Sequence, residues 1–145
     1  MQKKLKVLAF GTFDLLHEGH EFYLREAKKL GNKLAVIVAR DLNVWRAKGY
    51  LPKQGEKERL RAVKKLKFVN RALLGDEEYE NKYRLVKKIN PDVIALGYDQ
   101  RPSDEFLRSE LHKLHLEPKI VRISPYKPET HKSSKIRERE KSKQN

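Results

Sequence analysis

The stretch AFGTFDLLHEGHEFYLREAKKLG, from Ala9 to Gly31, decides the fold of this chain. A short apolar segment ends at Gly11, two histidines follow on either side of a glycine, and apolar residues then recur at helical spacing. The apolar segment predicts a buried strand, and the later spacing predicts a helix from Glu21 to Leu30 that ends near Gly31. The stretch is therefore typical of the first strand–loop–helix unit of an α/β fold.

The same alternation continues along the rest of the chain. Apolar runs predict strands at 6–10, 34–39, 69–74, 93–96 and 119–123, and helical patterns predict helices at 56–67, 79–89 and after Ser103. The polar segment 40–55, which contains two glycines and a proline, predicts a loop. Together these elements predict an α/β, Rossmann-like, doubly wound parallel five-stranded sheet with helices on both faces. We expect one domain over 1–131 and a charged tail over 132–145 that starts helical and is then flexible.

Composition narrows the possible function. Among 145 residues, 34 Lys and Arg against 20 Asp and Glu give a net charge of +14, which favours polyanionic partners from nucleic acid to a nucleoside triphosphate. The absence of cysteine excludes disulfides, thiolate catalysis and Cys-ligated zinc. No apolar run is long enough to cross a membrane, and the N-terminus lacks a signal-peptide pattern, so we expect a cytoplasmic protein without a membrane partner.

His17 and His20 are the first candidate functional residues. Because they lie three apart at a predicted helix start, both rings can face one ligand, and free amides at that helix end favour a phosphate. Gly19 between them would let a phosphate approach the backbone. A metal pair and a purely structural role as cap and packed ring are the alternatives. In a doubly wound sheet the ligand lies beyond the carboxyl ends of the strands, which is where the segment 11–20 falls.

The segment from Gly11 to His20, GTFDLLHEGH, resembles the signature of the cytidylyltransferase-type nucleotidyltransferases with their HxGH motif. The resemblance covers nearly the whole chain, including ALGYDQ at 95–100, and the set VARD, ALGYDQ and KSSKI is most similar to the archaeal FAD synthases. It implies in-line transfer of AMP from ATP to FMN, without a general base or a covalent intermediate.

The resemblance also implies roles for individual residues. The α-phosphate would be bound by His17 and His20, the β- and γ-phosphates by Lys48 and Arg59, and adenosine by Asp99 and Tyr126. A divalent metal, Mg²⁺, would bridge the phosphates through Asp14. The remaining nucleotide-binding positions would be Thr12, Phe13, Glu18, Gly19, Ser133 and Ser134.

Other functions remain open at this stage. A cytidylyltransferase acting on glycerol 3-phosphate or a similar alcohol is the nearest alternative, although Lys127–Ser134 departs from the RTxGIST pattern of that branch and Lys67 stands where a second family arginine is expected. A non-catalytic nucleic-acid-binding module is a further alternative, which the intact histidine pair argues against. FMN and ATP are the expected partners, a homodimer is expected from the family, and the flavin site is not predicted from any residue pattern.

Overall fold

A computed structural model describes residues 4–127, in which strands and helices alternate. The strands are β1 Lys6–Gly11, β2 Lys33–Val38, β3 Arg71–Leu74, β4 Val93–Gly97 and β5 Lys119–Ile123. The helices are α1 Glu18–Lys28, α2 Asp41–Lys48, α3 Glu56–Lys64, α4 Arg84–Ile89 and α5 Asp104–Lys113, with a short 3₁₀ turn at Tyr79–Asn81. None of the helices in this part of the chain is long and apolar enough to span a membrane.

The five strands form one parallel sheet in the order β3-β2-β1-β4-β5. Strand order runs one way from β1 to β3 and the other way from β4 to β5, so the direction reverses between β1 and β4. This reversal is where doubly wound sheets bind ligands, beyond the carboxyl ends of their strands. The predicted fold class is confirmed.

Alternate residues of the central strands divide the core into two layers. Val7 and Ala9 pack with α1 and α3, while Leu8 on the same strand packs with α4 and α5. Strand β2 is buried from Leu34 to Val38, as a strand covered on both faces must be. The helices on both faces hold the sheet rigid and leave its carboxyl edge open for the loops.

The prediction of a loop over 40–55 is wrong, because α2 occupies Asp41–Lys48. Val44 is the one buried residue of this helix, so the segment lacks the apolar stripe by which helices are recognised. One side chain from outside the helix caps its first turn: Glu56 accepts a hydrogen bond from the amide of Asp41 (2.8 Å). In return, Asp41 of α2 accepts one from the amide of Glu56 at the start of α3 (3.3 Å). The first turns of α2 and α3 therefore cap one another.

Two other element boundaries differ from the predictions. The helix predicted at 79–89 is interrupted, since a 3₁₀ turn ends at Asn81 and α4 begins at Arg84. Gly31 does not itself cap α1, which ends with Lys29 at its C-cap. A Cβ at Gly31 would lie 2.6 Å from the carbonyl oxygen of Leu5, so glycine is needed there for close backbone approach. The predicted tail at 132–145 lies outside the described residues.

Candidate active site

The loop between β1 and α1 has an unusual backbone. Phe13 and Leu15 both adopt positive φ angles, 54° and 52°, which side chains of this size rarely accept. The turn brings the Phe13 ring back over Gly11, where a Cβ would lie 2.6 Å from the ring. Strained residues of this kind cost on the order of 1–3 kcal/mol each and persist only where the surroundings hold them.

The segment before α3 holds this loop in place. The Asp14 carboxylate accepts hydrogen bonds from the amides of Lys53 (2.8 Å) and Gln54 (3.0 Å), and the Gln54 side chain accepts one from the amide of Leu15 (3.0 Å). Burial by itself would raise the pKa of Asp14, but the two amide bonds, together with the charges of Arg59 and Lys53, outweigh it and hold that pKa below its usual value. Asp14 is therefore an ionised anchor between two loops at the carboxyl edge of the sheet.

Arg59 joins three loops from inside the protein. Its guanidinium donates to the carbonyls of Gln54 (2.9 Å), Thr12 (2.8 Å) and Ala39 (2.8 Å) and forms an ion pair with Asp41 at 2.6 Å. The side chain is fully buried, at 0% exposure. The expectation that Arg59 binds the triphosphate directly does not fit this arrangement, because four of its five N–H groups are used and none faces solvent. In this structure Arg59 positions the loops around the site.

The HxGH motif forms a reciprocal capping box at the start of α1. His17 accepts a hydrogen bond from the amide of Gly19 at Nδ1 (3.1 Å), and His20 accepts one from the amide of His17 at Nδ1 (3.2 Å). Since an accepting Nδ1 carries no proton, the neutral form of each ring has its proton on Nε2. Both side chains therefore present an N–H donor on the side away from the helix backbone.

The two rings lie against each other and against the core. Their centroids are 3.8 Å apart with an interplanar angle of 23°, and Phe13 meets His20 edge-on at 5.6 Å. Burial, and to a lesser degree the neighbouring His17, lower the pKa of His20 from 6.5 to about 4, while Asp14 opposes the shift. His20 is thus neutral near pH 7, with its Nε2–H available as a hydrogen-bond donor. A Cβ at Gly19 would lie 3.1 Å from the His17 ring, so a larger residue at this position would crowd that ring.

Two side chains that the sequence analysis did not assign to the site fill the gap between β1 and β4. The strands pair only as far as Ala9 and Ala95. Beyond that point the Tyr23 hydroxyl donates to Ala95 O (2.6 Å) and accepts from the amide of Phe10 (3.3 Å). Burial raises the pKa of this hydroxyl, so it remains protonated. Tyr23 directly follows Phe22 in the predicted helix, and nothing in the sequence indicated that it does more than pack in the core.

Gln100 completes the same gap. Its side-chain amide donates to Phe10 O (3.0 Å), and its oxygen accepts from the amide of Gly97 (2.6 Å). With Tyr23, it satisfies the backbone groups exposed where the strands diverge. In the sequence, Gln100 stood out only as the last residue of the ALGYDQ motif, and nothing there predicted its contact with Phe10.

Asp99 lies in an open depression of about 560 Å³ that follows β4. Arg122 of β5 shapes its rim by donating to the carbonyls of Gly97 (2.8 Å), Gln100 (2.7 Å) and Pro102 (2.9 Å). Tyr98 beside Asp99 is 59% exposed. The depression therefore combines a free carboxylate and an exposed ring on a rigid loop, next to the reversal of strand order.

The other predicted site residues are distributed around this edge. Lys48 ends α2 and is exposed, while Phe13 is buried and can offer a ligand only its backbone. Thr12 uses its carbonyl to bind Arg59. Tyr126 donates a hydrogen bond to Glu18 at 3.0 Å and so lies beside the first turn of α1. Ser133 and Ser134 lie outside the described residues.

Metal-ligating side chains are sparse here. Within residues 4–127, no group of three or more His, Asp or Glu side chains could hold a metal ion. Each Asp14 oxygen accepts one amide hydrogen bond, which leaves further acceptor capacity on both. A cation here would need most of its ligands from a bound phosphate.

A family model and individual relatives both match most of this chain. The cytidylyltransferase-like family model matches residues 8–139. The FAD synthase of Thermoplasma volcanium is 44% identical over 135 residues, which cover 93% of both chains. The FAD synthase of Ferroglobus placidus is 51% identical over 119 residues, 81% of this chain and 75% of that one.

Solved structures agree on the fold. A Thermoplasma volcanium protein described as a lipopolysaccharide core biosynthesis protein superposes with a TM-score of 0.79 at 45% identity, covering 86% of this chain and 99% of that one. The pantoate-beta-alanine ligase of Francisella tularensis, at 14% identity and a TM-score of 0.57, covers 89% of this chain and 63% of its own, and shares the fold alone.

Proposed function

The chain belongs to the cytidylyltransferase-like family, in its FAD synthase branch, and from this premise we propose that it transfers AMP from ATP to FMN. FAD and pyrophosphate are the products. The observation that carries the proposal is the pair of Nε2–H donors that the capping box of His17 and His20 holds side by side at the start of α1.

The chemistry follows from these two donors. An oxygen of the FMN phosphate attacks the α-phosphorus of ATP, the bond from that phosphorus to the bridging oxygen of the β-phosphate breaks, and pyrophosphate leaves. The attacking oxygen is already anionic near neutral pH, so no general base is required. Catalysis then consists of positioning and of stabilising charge on the α-phosphoryl oxygens, which fixed N–H donors do without reorganisation.

The remaining parts of ATP are assigned to the flanking loops. We propose that adenosine occupies the depression at Asp99 and is also contacted by Tyr126 from beside the first turn of α1, and that Lys48, Ser133 and Ser134 hold the β- and γ-phosphates. Arg59 acts through the backbone of the three loops that it joins, as a positioning residue. Thr12, Phe13, Glu18 and Gly19 contribute the backbone beside the transferred phosphoryl group.

We propose Mg²⁺ as the divalent metal, bound mainly by the triphosphate with Asp14 as its protein ligand. The free acceptor capacity of the Asp14 carboxylate fits such a weakly protein-bound ion. An ion bound there would supply positive charge to offset that of the triphosphate. A cytoplasmic location and a homodimer, both expected from the sequence, stay predictions.

The deciding experiment incubates the purified protein with ATP and Mg²⁺ and either FMN or glycerol 3-phosphate, and then repeats both with CTP. Pyrophosphate release and flavin chromatography are followed together. We expect FAD and pyrophosphate in equal amounts with FMN and ATP. Release that depends on glycerol 3-phosphate and CTP instead would identify the cytidylyltransferase alternative.

A separate measurement addresses the non-catalytic alternative. A nucleic-acid-binding module would bind DNA or RNA with an affinity that falls steeply with salt, and would release no pyrophosphate from any substrate pair. FAD formation at a steady rate over many turnovers is incompatible with that function.

A further inference from the structure

Exposed apolar side chains gather on one part of the surface. Four of the large hydrophobic residues that are more than half exposed, among residues 4–127, fall within ten positions on α2 and the loop after it. We call this the α2 apolar surface, and it consists of Leu42 (62% exposed), Trp45 (53%), Tyr50 (58%) and Leu51 (59%). Solvent-exposed aromatic clusters on small proteins usually mark a binding site.

The local backbone presents these side chains outward. Leu42 and Trp45 lie three apart on α2 and so share one side of the helix, while Val44 faces the core. Gly49 ends the helix with a φ of 83°, and a Cβ there would touch nothing within 4 Å. The turn at Gly49 brings Tyr50 and Leu51 directly after the helix in an open part of the surface.

The α2 apolar surface lies at the same edge of the sheet as the two histidines. Helix α2 begins three residues after β2, which is the neighbour of β1 in the sheet. The chain beyond Leu51 runs straight into Lys53 and Gln54, whose amides bind Asp14 three residues before His17. This surface and the start of α1 are therefore joined through one set of hydrogen bonds.

The depression at Asp99 lies on the other side of the histidines. It follows β4, whereas the α2 apolar surface follows β2, and β1 with the histidine-bearing helix start comes between them. Two substrates that meet at one phosphorus must approach it from different directions. With adenosine on the β4 side, the exposed rings on the β2 side give the acceptor ring a surface of its own, while Lys48 at the end of α2 stays assigned to the β- and γ-phosphates.

The positive charge beside the α2 apolar surface also fits the phosphate of FMN. Arg46 and Lys53 are exposed in the same stretch as the aromatic rings. FMN combines a flat aromatic ring system with a phosphate monoester, so rings and cations together match its chemistry. A second copy of the chain would bring the same cations against each other, which disfavours self-association through this surface.

We propose that the α2 apolar surface binds the isoalloxazine ring of FMN, with Trp45 stacked on it. This inference rests on the proposed function and adds the acceptor subsite to it. Stacking of a flat ring on an aromatic side chain contributes enough binding free energy that its loss weakens binding by about tenfold or more. Trp45 is the single tryptophan of the chain, so it reports on the site by fluorescence.

The kinetic test compares three variants in the FAD-forming assay. Trp45→Ala should raise the KM for FMN by about tenfold and leave the KM for ATP within about twofold of the wild type, while Trp45→Phe should restore most of the FMN affinity. Tyr98→Ala, in the depression at Asp99, should instead raise the KM for ATP. Phe106→Ala, which removes a comparably exposed ring from α5, should change neither value.

A binding measurement keeps the inference testable apart from turnover. Titration of FMN with wild-type protein should quench both flavin and Trp45 emission, and Trp45→Ala should abolish the flavin quenching at the same protein concentration. If the wild type forms no FAD but this Trp45-dependent quenching persists, the proposed function fails and the flavin subsite stands.

Three results would overturn the subsite. One is an unchanged KM for FMN in Trp45→Ala while the wild type makes FAD. Another is a rise of the FMN KM in Tyr98→Ala instead. The third is a change of oligomeric state in Trp45→Ala, by size-exclusion chromatography with light scattering, at unaltered FMN affinity, which would identify a second copy of the chain as the occupant.

Discussion

At the scale of single residues, the two histidine rings of the HxGH motif both cap helix α1 and present hydrogen-bond donors. The Nδ1 atoms of His17 and His20 satisfy amides that a helix start otherwise leaves unpaired. The same two bonds fix the tautomer of each ring and leave Nε2–H facing outward. A cap made of serine and glutamate would stabilise the helix equally well, but it would not offer these donors. Histidine at both positions therefore adds two N–H donors that a capping box of serine and glutamate lacks.

Replacement of His20 by glutamine separates these two roles. Glutamine at this position can still accept a hydrogen bond from the amide of His17, so His20→Gln should keep its stability. It lacks the fixed N–H donor, and turnover should fall about a hundredfold or more, on the order of 3 kcal/mol of transition-state stabilisation. The kcat in the FAD-forming assay measures this.

The control for this variant is His112→Gln on α5, where the side chain is 77% exposed, and it should have wild-type kcat. A His20→Gln enzyme that retained near-normal turnover with unaltered stability would show that the ring does not act on the transferred phosphoryl group.

The lowered pKa of His20 predicts a pH dependence of stability. In the folded protein this pKa is about 4 against an ordinary value of 6.5, so between these values the unfolded chain binds more protons than the folded one. The free energy of unfolding should therefore fall as pH drops through that window, because stability rises with pH wherever the unfolded state binds more protons.

Urea unfolding between about pH 7 and about pH 4 measures this slope, with His20→Gln as the comparison. Because glutamine does not titrate, the variant should lose part of the slope that the wild type shows. Identical slopes in both proteins would exclude His20 as the titrating group.

Substitution of Arg59 tests whether this buried residue anchors the loops around the site. Arg59→Met should lower the free energy of unfolding by about 3–5 kcal/mol, because three carbonyls and the half-buried carboxylate of Asp41 lose the buried guanidinium that they bind. Arg61→Met, on the exposed side of the same helix, should stay within about 0.5 kcal/mol of the wild type. Denaturant unfolding compares them, and equal midpoints would contradict the role of Arg59 as a loop anchor.

At the scale of secondary-structure elements, the site depends on a gap in the sheet. Strands β1 and β4 diverge after Ala9 and Ala95, and the Tyr23 hydroxyl and the Gln100 side-chain amide take over the hydrogen bonds of the missing ladder. Both side chains come from elements that flank the ligand-binding edge. They bridge β1 to β4 and to the loop after β4 through Phe10, Ala95 and Gly97.

Tyr23→Phe removes one of these bridges with a minimal change in shape. The buried amide of Phe10 and carbonyl of Ala95 would lose their partner, at a cost of about 1–3 kcal/mol in the free energy of unfolding. Tyr50→Phe is the matched control, because that hydroxyl lies on an exposed side chain. A loss in Tyr23→Phe no larger than in the control, by chemical denaturation, would show that the bridge adds nothing to stability.

At the scale of the whole molecule, the excess of positive charge matches two anionic substrates. A net charge of +14 raises the local concentration of ATP and FMN around the protein, and salt screens this attraction. The kcat/KM for ATP should therefore fall as ionic strength rises from about 0.01 M to about 0.15 M, where the Debye length shortens from about 30 Å to about 8 Å. The kcat at saturating substrate should change less, since it does not depend on encounter. A kcat/KM that is flat over this range would mean that long-range charge does not assist binding.

The sequence predicted much of this molecule correctly, and its failures have local causes. The strands were predicted because each central strand is buried on both faces and so must be almost wholly apolar. The loop prediction over 40–55 failed because α2 buries only Val44 and depends on the side chain of Glu56, fifteen positions away, for its first-turn hydrogen bond. No local pattern can encode a cap supplied by another helix.

By itself, the sequence determined the five strands, the helices between them other than α2, and the histidine pair at a helix start, because each depends on spacing along one short segment. The tertiary structure alone decided what Arg59, Tyr23 and Gln100 do. Each bonds backbone that is distant in the chain. An arginine expected to bind the triphosphate is therefore fully buried, and a core tyrosine links two strands at the point where their pairing ends. The tertiary structure also decided the tautomers of His17 and His20, because they depend on which backbone amide each ring accepts from after the chain has folded.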